Sequence, residues 1–209
     1  GLCCLRAPSA HLGVPLALRR RRQIGIRDRA IALALARQGC NVVVNGSTNL
    51  AACESVAGEV EDLGAQALVA MGDVGDHQAA REICRAGATG FGRIDVLVNN
   101  AGYNKVGKIL DYDEELYVLI VDANLKNVFF RCQIAARQMI DHGGGGNIVN
   151  IASTASLRGA ASGTAYMPST IALRGLTECW RGDLRTHTAQ VRPVDPRRAV
   201  NPFGDTAGL

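Results

Sequence analysis

Apolar side chains recur in helix-like and strand-like segments that alternate along most of the chain. Residues 29–39 are apolar nearly all round a helix that stops at a glycine, and the β-branched run 40–45 is typical of a strand buried on both faces. The same alternation continues towards the C-terminus. It predicts helices at 29–39, 50–64, 77–92, 113–141 and 164–185, and strands at 40–45, 65–71, 93–102, 147–153 and 189–194.

Strands that alternate with helices of about 10 to 15 residues predict a parallel sheet with helices on both faces. Right-handed crossovers make this an α/β fold, a doubly wound Rossmann-like sheet in three αβα layers. In such a fold the carboxyl ends of the strands open onto one crevice. We therefore expect the turns at 45–48, 72–74 and 99–102, together with Ser153, to face the same ligand.

Composition supports a single globular domain of 209 residues, with 47% hydrophobic and 20% charged side chains. No apolar run approaches the roughly 18 to 20 residues that a membrane span requires. Seven cysteines lack CxxC spacing and four histidines are scattered, so we expect no metal site. A reduced, cytoplasmic protein with buried thiols fits this cysteine usage best.

The net charge of +4 is unevenly placed, because residues 1–27 contain six arginines and no acidic residue. Such a segment suggests a targeting peptide or a nucleic-acid contact. It has neither aromatic residues for stacking nor a recognisable cleavage site, so we expect no nucleic-acid partner. A basic-arm nucleic-acid binder rests on residues 19–22 alone.

The sequence NNAG at 99–102, followed by Asn124, Ser153 and Tyr166, resembles the short-chain dehydrogenase/reductase family. The resemblance runs from about residue 29 to 196, and the Ser–Tyr spacing of 13 belongs to it. It implies that Tyr166 is the proton-exchanging acid/base and that Ser153 holds the substrate oxygen. It implies that Asn124 anchors a water of a proton relay.

The resemblance also implies a nicotinamide cofactor, NADP or NAD, and a small alcohol or ketone substrate (sugar-like, polyol or 3-oxoacyl in type). By position, Asp73 and Val74 would border the adenine, and Asn99, Ala101 and Gly102 would line the adenosine ribose. The turn that starts at Asn45 has no acid to hold the ribose hydroxyls of NAD, which favours NADP. A homo-oligomer is compatible with this family.

Three departures from the family pattern count against activity. The glycine-rich turn is replaced by RRRRQIGIRDRA at 19–30, where side chains of Arg27 and Asp28 should clash with a pyrophosphate. We therefore divide the chain into a basic segment 1–27, in place of the first strand and glycine turn, and a Rossmann-like domain 28–209. At the other end, VDPRRAV (194–200) lacks the expected PG turn, so we expect a fold incomplete at both ends.

The third departure is Thr170, which stands where the family's YxxxK pattern has a lysine one helical turn after Tyr166. A cation within about 4 to 6 Å lowers an acid's pKa by about 1 to 3 units, so its loss costs about ten- to a thousandfold in rate. Thr170 can still donate one hydrogen bond to a cofactor ribose.

Two functions from different classes follow. The first is an oxidoreductase of impaired activity, and the alternative is a catalytically inactive Rossmann-like binding protein. The arginine- and proline-rich ends suggest altered or mistranslated coding sequence, a hypothesis that an uninterrupted in-frame gene encoding them would remove.

Overall fold

A six-stranded sheet in the order β3-β2-β1-β4-β5-β6 forms the centre of the molecule. The computed structural model describes residues 2–5, 26–105, 107–187 and 189–194, with the backbone alone described at 2–5, 26 and 154. The strands are β1 (Leu2–Leu5), β2 (Asn41–Gly46), β3 (Ala67–Met71), β4 (Val96–Asn99), β5 (Gly146–Ile151) and β6 (Ala189–Val194). The helices are α1 (Ile26–Ala36), α2 (Leu50–Glu61), α3 (His77–Phe91), α4 (Glu114–Val121), α5 (Asn127–Asp141) and α6 (Tyr166–Asp183).

The predicted alternation of helices and strands is confirmed, since every predicted segment contains an element of the predicted type. Local signals set several of the ends. Asn49, Asp76 and Asp113 cap α2, α3 and α4 by accepting hydrogen bonds from backbone N–H groups three residues on. Gly92 ends α3 at a φ of 84°, a conformation that glycine adopts without strain.

Strand β1 was not predicted, and among the described strands it is the one that is not parallel to its neighbours. It lies antiparallel to both β2 and β4, with Cys3 opposite Val43 on one side and Leu97 on the other. The remaining pairs, β2–β3, β4–β5 and β5–β6, are parallel as expected. Because β1 is central, it pairs backbone groups of β2 and β4 that a gap would leave unsatisfied.

The core is divided between the two faces of the sheet. Val42 and Val44 of β2 pack with α1 and α2, whereas Val43 packs with α3, α5 and α6. This alternation follows from the two-residue repeat of a strand, and it explains why β2 is apolar without a break. The three-layer αβα arrangement is thus confirmed.

Cys40, Cys53, Cys84 and Cys132 are buried thiols, whereas Cys179 is exposed, which corrects the expectation that it is buried. Within the described ranges, no group of three His, Cys, Asp or Glu side chains could hold a metal ion. Nor does any helix there have the length and apolarity to span a bilayer. The departures predicted at 19–25 and 195–200 lie outside these ranges.

Candidate active site

A cavity opens at the carboxyl ends of β4 and β5, beside the first turns of α6. The turn that follows β4 and the residues Ile151 and Ala152 at the end of β5 form part of its wall. Six of the predicted site residues line it together: Asn99, Ala101, Gly102, Asn124, Tyr166 and Thr170. Of the turns expected to face one ligand, the one at 99–102 lines this cavity.

Four other predicted residues do not line this cavity. Ser153 directly follows Ala152, and its hydroxyl accepts a hydrogen bond from the backbone N–H of Ala155 at 3.2 Å. The short 3-10 turn that Ser153 precedes packs against α6. Asn45, Asp73 and Val74 lie at the ends of β2 and β3, on the adenosine side predicted for the cofactor.

Asn45 is 5% exposed, and its side chain is turned into the sheet. Its Nδ2 donates to the carbonyls of Ala70 (2.8 Å) and Gly72 (3.0 Å), which ties the end of β2 to that of β3. The carboxylate of Asp73 accepts from the N–H of Gly75 at 2.8 Å and closes a tight turn. These side chains therefore shape the turns, and a direct contact with a cofactor stays a prediction.

Tyr166 is the first residue of α6, so its side chain projects at the point where the helix meets the strand ends. Pro168 occupies the first turn, where a missing N–H costs nothing, as predicted. The carbonyl of Tyr166 accepts a hydrogen bond from the Ser169 hydroxyl at 2.7 Å. The Ser169 side chain thus stabilises the first turn of the helix that carries the phenol.

Asn124 lies in a π-helical turn, Asp122–Lys126, that joins α4 to α5. Such turns often occur at functional sites. Its Oδ1 accepts from the N–H of Tyr103 (2.7 Å), and its Nδ2 donates to the Tyr103 carbonyl (2.9 Å) and to the Ser169 hydroxyl (3.0 Å). A Cβ on Gly102 would lie 3.1 Å from this Oδ1, so glycine suits that position.

Asn124 therefore clamps the turn after β4 to the start of α6. Both of its N–H donors have protein partners, as a satisfied buried amide requires. Its role as the anchor of a relay water stays a prediction, in which the water would use the second lone pair of Oδ1.

Thr170 lies one turn after Tyr166 and is 5% exposed. Its hydroxyl donates to the carbonyl of Met167 at 2.9 Å, a bond that threonine commonly makes within its own helix. A hydroxyl has one proton, so in this conformation Thr170 offers a ligand only an acceptor. Donation to a cofactor ribose requires the hydroxyl to leave the Met167 carbonyl, and it stays a prediction.

Arg27, whose side chain is predicted to clash with a pyrophosphate, lines this cavity. It stands in the first turn of α1, and it is the one charged side chain among the cavity's described lining residues. Its neighbour Asp28 accepts a hydrogen bond from Nδ2 of Asn100 at 2.7 Å. The side chains of this turn therefore pack against the end of β4.

A buried polar network beneath the cavity was also missed. Asn99, 3% exposed, donates through Nδ2 to Oδ1 of Asn150 (2.9 Å), and its Oδ1 accepts from Nε of Arg131 (2.8 Å). Asn150 in turn donates to the hydroxyl of Thr177 on α6 at 2.9 Å. Polar residues inside the apolar segments, such as Asn150 in NIVNIAS, could have indicated this network.

Cys132 borders this network, and its Sγ accepts from Nδ2 of Asn99 at 3.2 Å. Burial raises the pKa of the Cys132 thiol to about 12. The thiol is therefore protonated at neutral pH.

Comparison with known proteins gives consistent results for most of the chain. A family model described as short chain dehydrogenase matches residues 24–199. The L-rhamnose 1-dehydrogenase (NAD(P)(+)) of Azotobacter vinelandii is 37% identical over 153 residues, covering 72% of this chain and 60% of the relative. The 2-dehydro-3-deoxy-D-gluconate 5-dehydrogenase of Dickeya dadantii is 30% identical over 168 residues, 80% of this chain and 65% of that protein.

Solved structures agree with the sequence matches. The crystal structure of acetoin dehydrogenase from Enterobacter cloacae superposes with a TM-score of 0.77 at 32% identity, over 82% of this chain and 68% of that one. The chain spans 60% and 65% of the length of the two curated relatives named above.

Proposed function

Because the chain belongs to the short-chain dehydrogenase family, we propose that it is an oxidoreductase that interconverts an alcohol and a ketone with NADP or NAD. The observation that carries this function is the cavity that holds Tyr166, Asn124 and Thr170 at the carboxyl ends of β4 and β5. In a doubly wound sheet this edge is where ligands bind.

The proposed division of labour follows from the groups available. The Tyr166 phenol gives a proton to the substrate oxygen during reduction and takes it during oxidation. The Ser153 hydroxyl donates to the same oxygen and stabilises charge that develops there, since accepting from the Ala155 N–H leaves its own proton free. The bound nicotinamide would supply or accept the hydride.

The cofactor fits one side of the site better than the other. Ala101 and Gly102 present little side chain to the cavity, and hydrogen bonds from Asn45 Nδ2 and to the Val74 carbonyl hold the ends of β2 and β3 in place. Against this, Arg27 and Asp28 stand in the first turn of α1, at the helix end where such folds place a pyrophosphate. We propose weak binding of the dinucleotide.

Ser47 and Thr48 follow Asn45 and are exposed, with no carboxylate between Asn45 and Leu50. Hydroxyl groups at this position tolerate a 2′-phosphate, whereas an acid would repel it. We therefore propose NADP in preference to NAD.

For the substrate we propose a sugar-like alcohol, since relatives named for L-rhamnose and 2-dehydro-3-deoxy-D-gluconate match the chain. The cavity-lining Asn104 could hydrogen-bond substrate hydroxyls.

A specific observation favours a second function, that of a catalytically inactive binding protein. Thr170 carries no charge, and its proton is already donated to Met167. If hydride transfer is lost altogether, the cavity still remains as a site for a nucleotide.

Absorbance at 340 nm tests the two functions together. The chain is mixed with NADP⁺ or NAD⁺ and L-rhamnose, with Tyr166→Phe as the matched control. The proposed oxidoreductase gives a slow, saturable rise in absorbance that the control lacks. Cofactor binding without any rise, over a panel of sugars and small ketols, supports the inactive binding protein instead.

A further inference from the structure

Arg131 of α5 is an arginine whose position in the core needs explanation. It is 3% exposed, and arginine is rarely buried so fully unless its charge is paired or hydrogen-bonded. Its Nε donates to Oδ1 of Asn99 at 2.8 Å, and its Nη1 donates to the carbonyl of Val74 at 2.8 Å. One rigid guanidinium thus joins two points that are not adjacent in the sheet.

The two points are the turns after β3 and β4. Val74 lies three residues beyond the end of β3, and Asn99 is the last residue of β4. Strands β2 and β1 separate β3 from β4, so no ladder hydrogen bonds fix one turn relative to the other. Arg131 provides that link from beneath, through the helix layer.

The amide of Asn99 is oriented by the same network. Its Nδ2 donates to Asn150 Oδ1 and its Oδ1 receives Arg131, so neither end of the amide can turn towards a ligand without losing a bond. Asn99 therefore affects a ligand through its backbone, because its fixed side chain sets the direction of the chain that continues to Ala101 and Gly102. Arg131 itself is not among the described residues that line the cavity.

We propose that Arg131 is a positioning residue for the adenosine half of the dinucleotide, holding the turns at Val74 and Asn99 at the spacing which that half requires. This role presupposes the proposed function. A fork of two donors on one plane suits it, because a lysine ammonium cannot span both acceptors with the same geometry.

Binding of the two halves of the cofactor, measured separately, tests this role. We would replace Arg131 by Met, which removes both donors, and by Lys, which keeps the charge. Replacing a buried ion by an apolar side chain of similar volume is often tolerated, so the Met variant is expected to fold. Arg137→Met, an exposed position on the same helix, is the matched control. Affinities for ADP and for nicotinamide mononucleotide are measured by NMR titration, together with the melting temperature.

We expect Arg131→Met to bind ADP about tenfold more weakly and nicotinamide mononucleotide within about twofold of the original chain. The Lys variant should lie between, and Arg137→Met should change neither affinity. Unchanged ADP affinity in Arg131→Met, or an equal loss for both halves with a lower melting temperature, overturns the positioning role but leaves the proposed function standing. If the original chain binds neither ADP nor NADPH, both fail together.

Discussion

The two ends of the candidate site are built differently. At the Tyr166 end, Asn124 and Ser169 connect the turn after β4 to α6 through hydrogen bonds of 2.7 to 3.0 Å. At the α1 end, charged side chains, Arg27 and Asp28, stand where a dinucleotide fold presents glycine backbone to a pyrophosphate. The start of α6 that carries the phenol is thus held by hydrogen bonds, whereas the α1 end departs from the glycine-rich family pattern.

The Tyr166 end is thus defined by hydrogen bonds and the α1 end by its charged side chains. Thr170 leaves the Tyr166 end without a cation one helical turn away, and Arg27 is the charged residue among the described cavity lining. Geometry and electrostatics can therefore be tested separately, by substitutions that alter one and leave the other.

The largest effect is expected from Tyr166→Phe, which removes the proton donor and leaves the ring. Turnover should fall by about 10²- to 10⁴-fold, with NADPH affinity within about twofold of the original. Steady-state rates and a fluorescence titration measure the two quantities. Tyr117→Phe, on the exposed face of α4, is the control and should change neither. Equal activity in Tyr166→Phe would mean that the chemistry lies elsewhere.

Thr170→Lys should sharpen the comparison in the opposite direction. A cation near the phenol and the cofactor ribose should raise turnover by about ten- to a thousandfold. Thr170→Met, of similar reach but uncharged, separates charge from size. A gain shared by both variants would show that relief of the Met167 hydrogen bond, and not charge, was responsible.

Asn124→Leu should destabilise the Tyr166 end of the site by removing its connecting hydrogen bonds. It leaves the backbone of Tyr103 and the hydroxyl of Ser169 without their partner, so the free energy of unfolding should fall by about 2–4 kcal/mol. Asn124→Asp keeps the acceptor for the Tyr103 N–H and should lose less. Chemical denaturation of both variants measures this, and equal stability of Asn124→Leu and the original chain would deny the clamp.

The buried thiol beside Asn99 gives a pH dependence. Because the pKa of Cys132 is about 12 in the folded chain and 9.0 when unperturbed, its contribution to stability is complete below about pH 9 and is lost as pH rises towards 12. By pH 10 the loss is about 1.4 kcal/mol. Cys132→Ala should flatten this decline in denaturation experiments, whereas Cys179→Ala should not. Parallel declines in both variants would contradict the assignment.

Asp28→Asn tests the altered end and has the smallest expected effect. It keeps an oxygen acceptor for Asn100 and removes a negative charge near the place proposed for the phosphates. NADPH should bind about fivefold more tightly, in line with an interaction of about 1 kcal/mol near the surface. Calorimetric titration at low and high salt measures the gain, which should shrink with salt. Tighter binding that is unaffected by salt would point to packing.

Sequence patterns predict most of the fold because the signals are local. The β-branched run of β2 and the helical pattern at 113–141, which contains α4 and α5, can be predicted from the residues of each segment alone. Strand β1 is four residues long within a segment that reads as basic, so no periodicity marks it. Its place follows from pairing with β2 and β4, which are distant in sequence.

The site divides in the same way. Spacing brings Tyr166 and Thr170 to one face of α6, and the bond from Thr170 to Met167 could have been foreseen as a local habit of threonine. The link from Arg131 to Val74 joins residues 57 positions apart, and its link to Asn99 joins residues 32 apart. Such contacts depend on how the helix layer packs on the sheet, and the residue pattern of one segment does not predict that packing.

Titration of the unaltered chain with NADPH, followed by the fluorescence of the reduced nicotinamide, tests the central claim most directly. We predict weak but saturable binding that excess NADP⁺ reverses. Absence of any saturable signal with NADPH or NADH at millimolar concentration would contradict the assignment of this cavity to a nicotinamide cofactor.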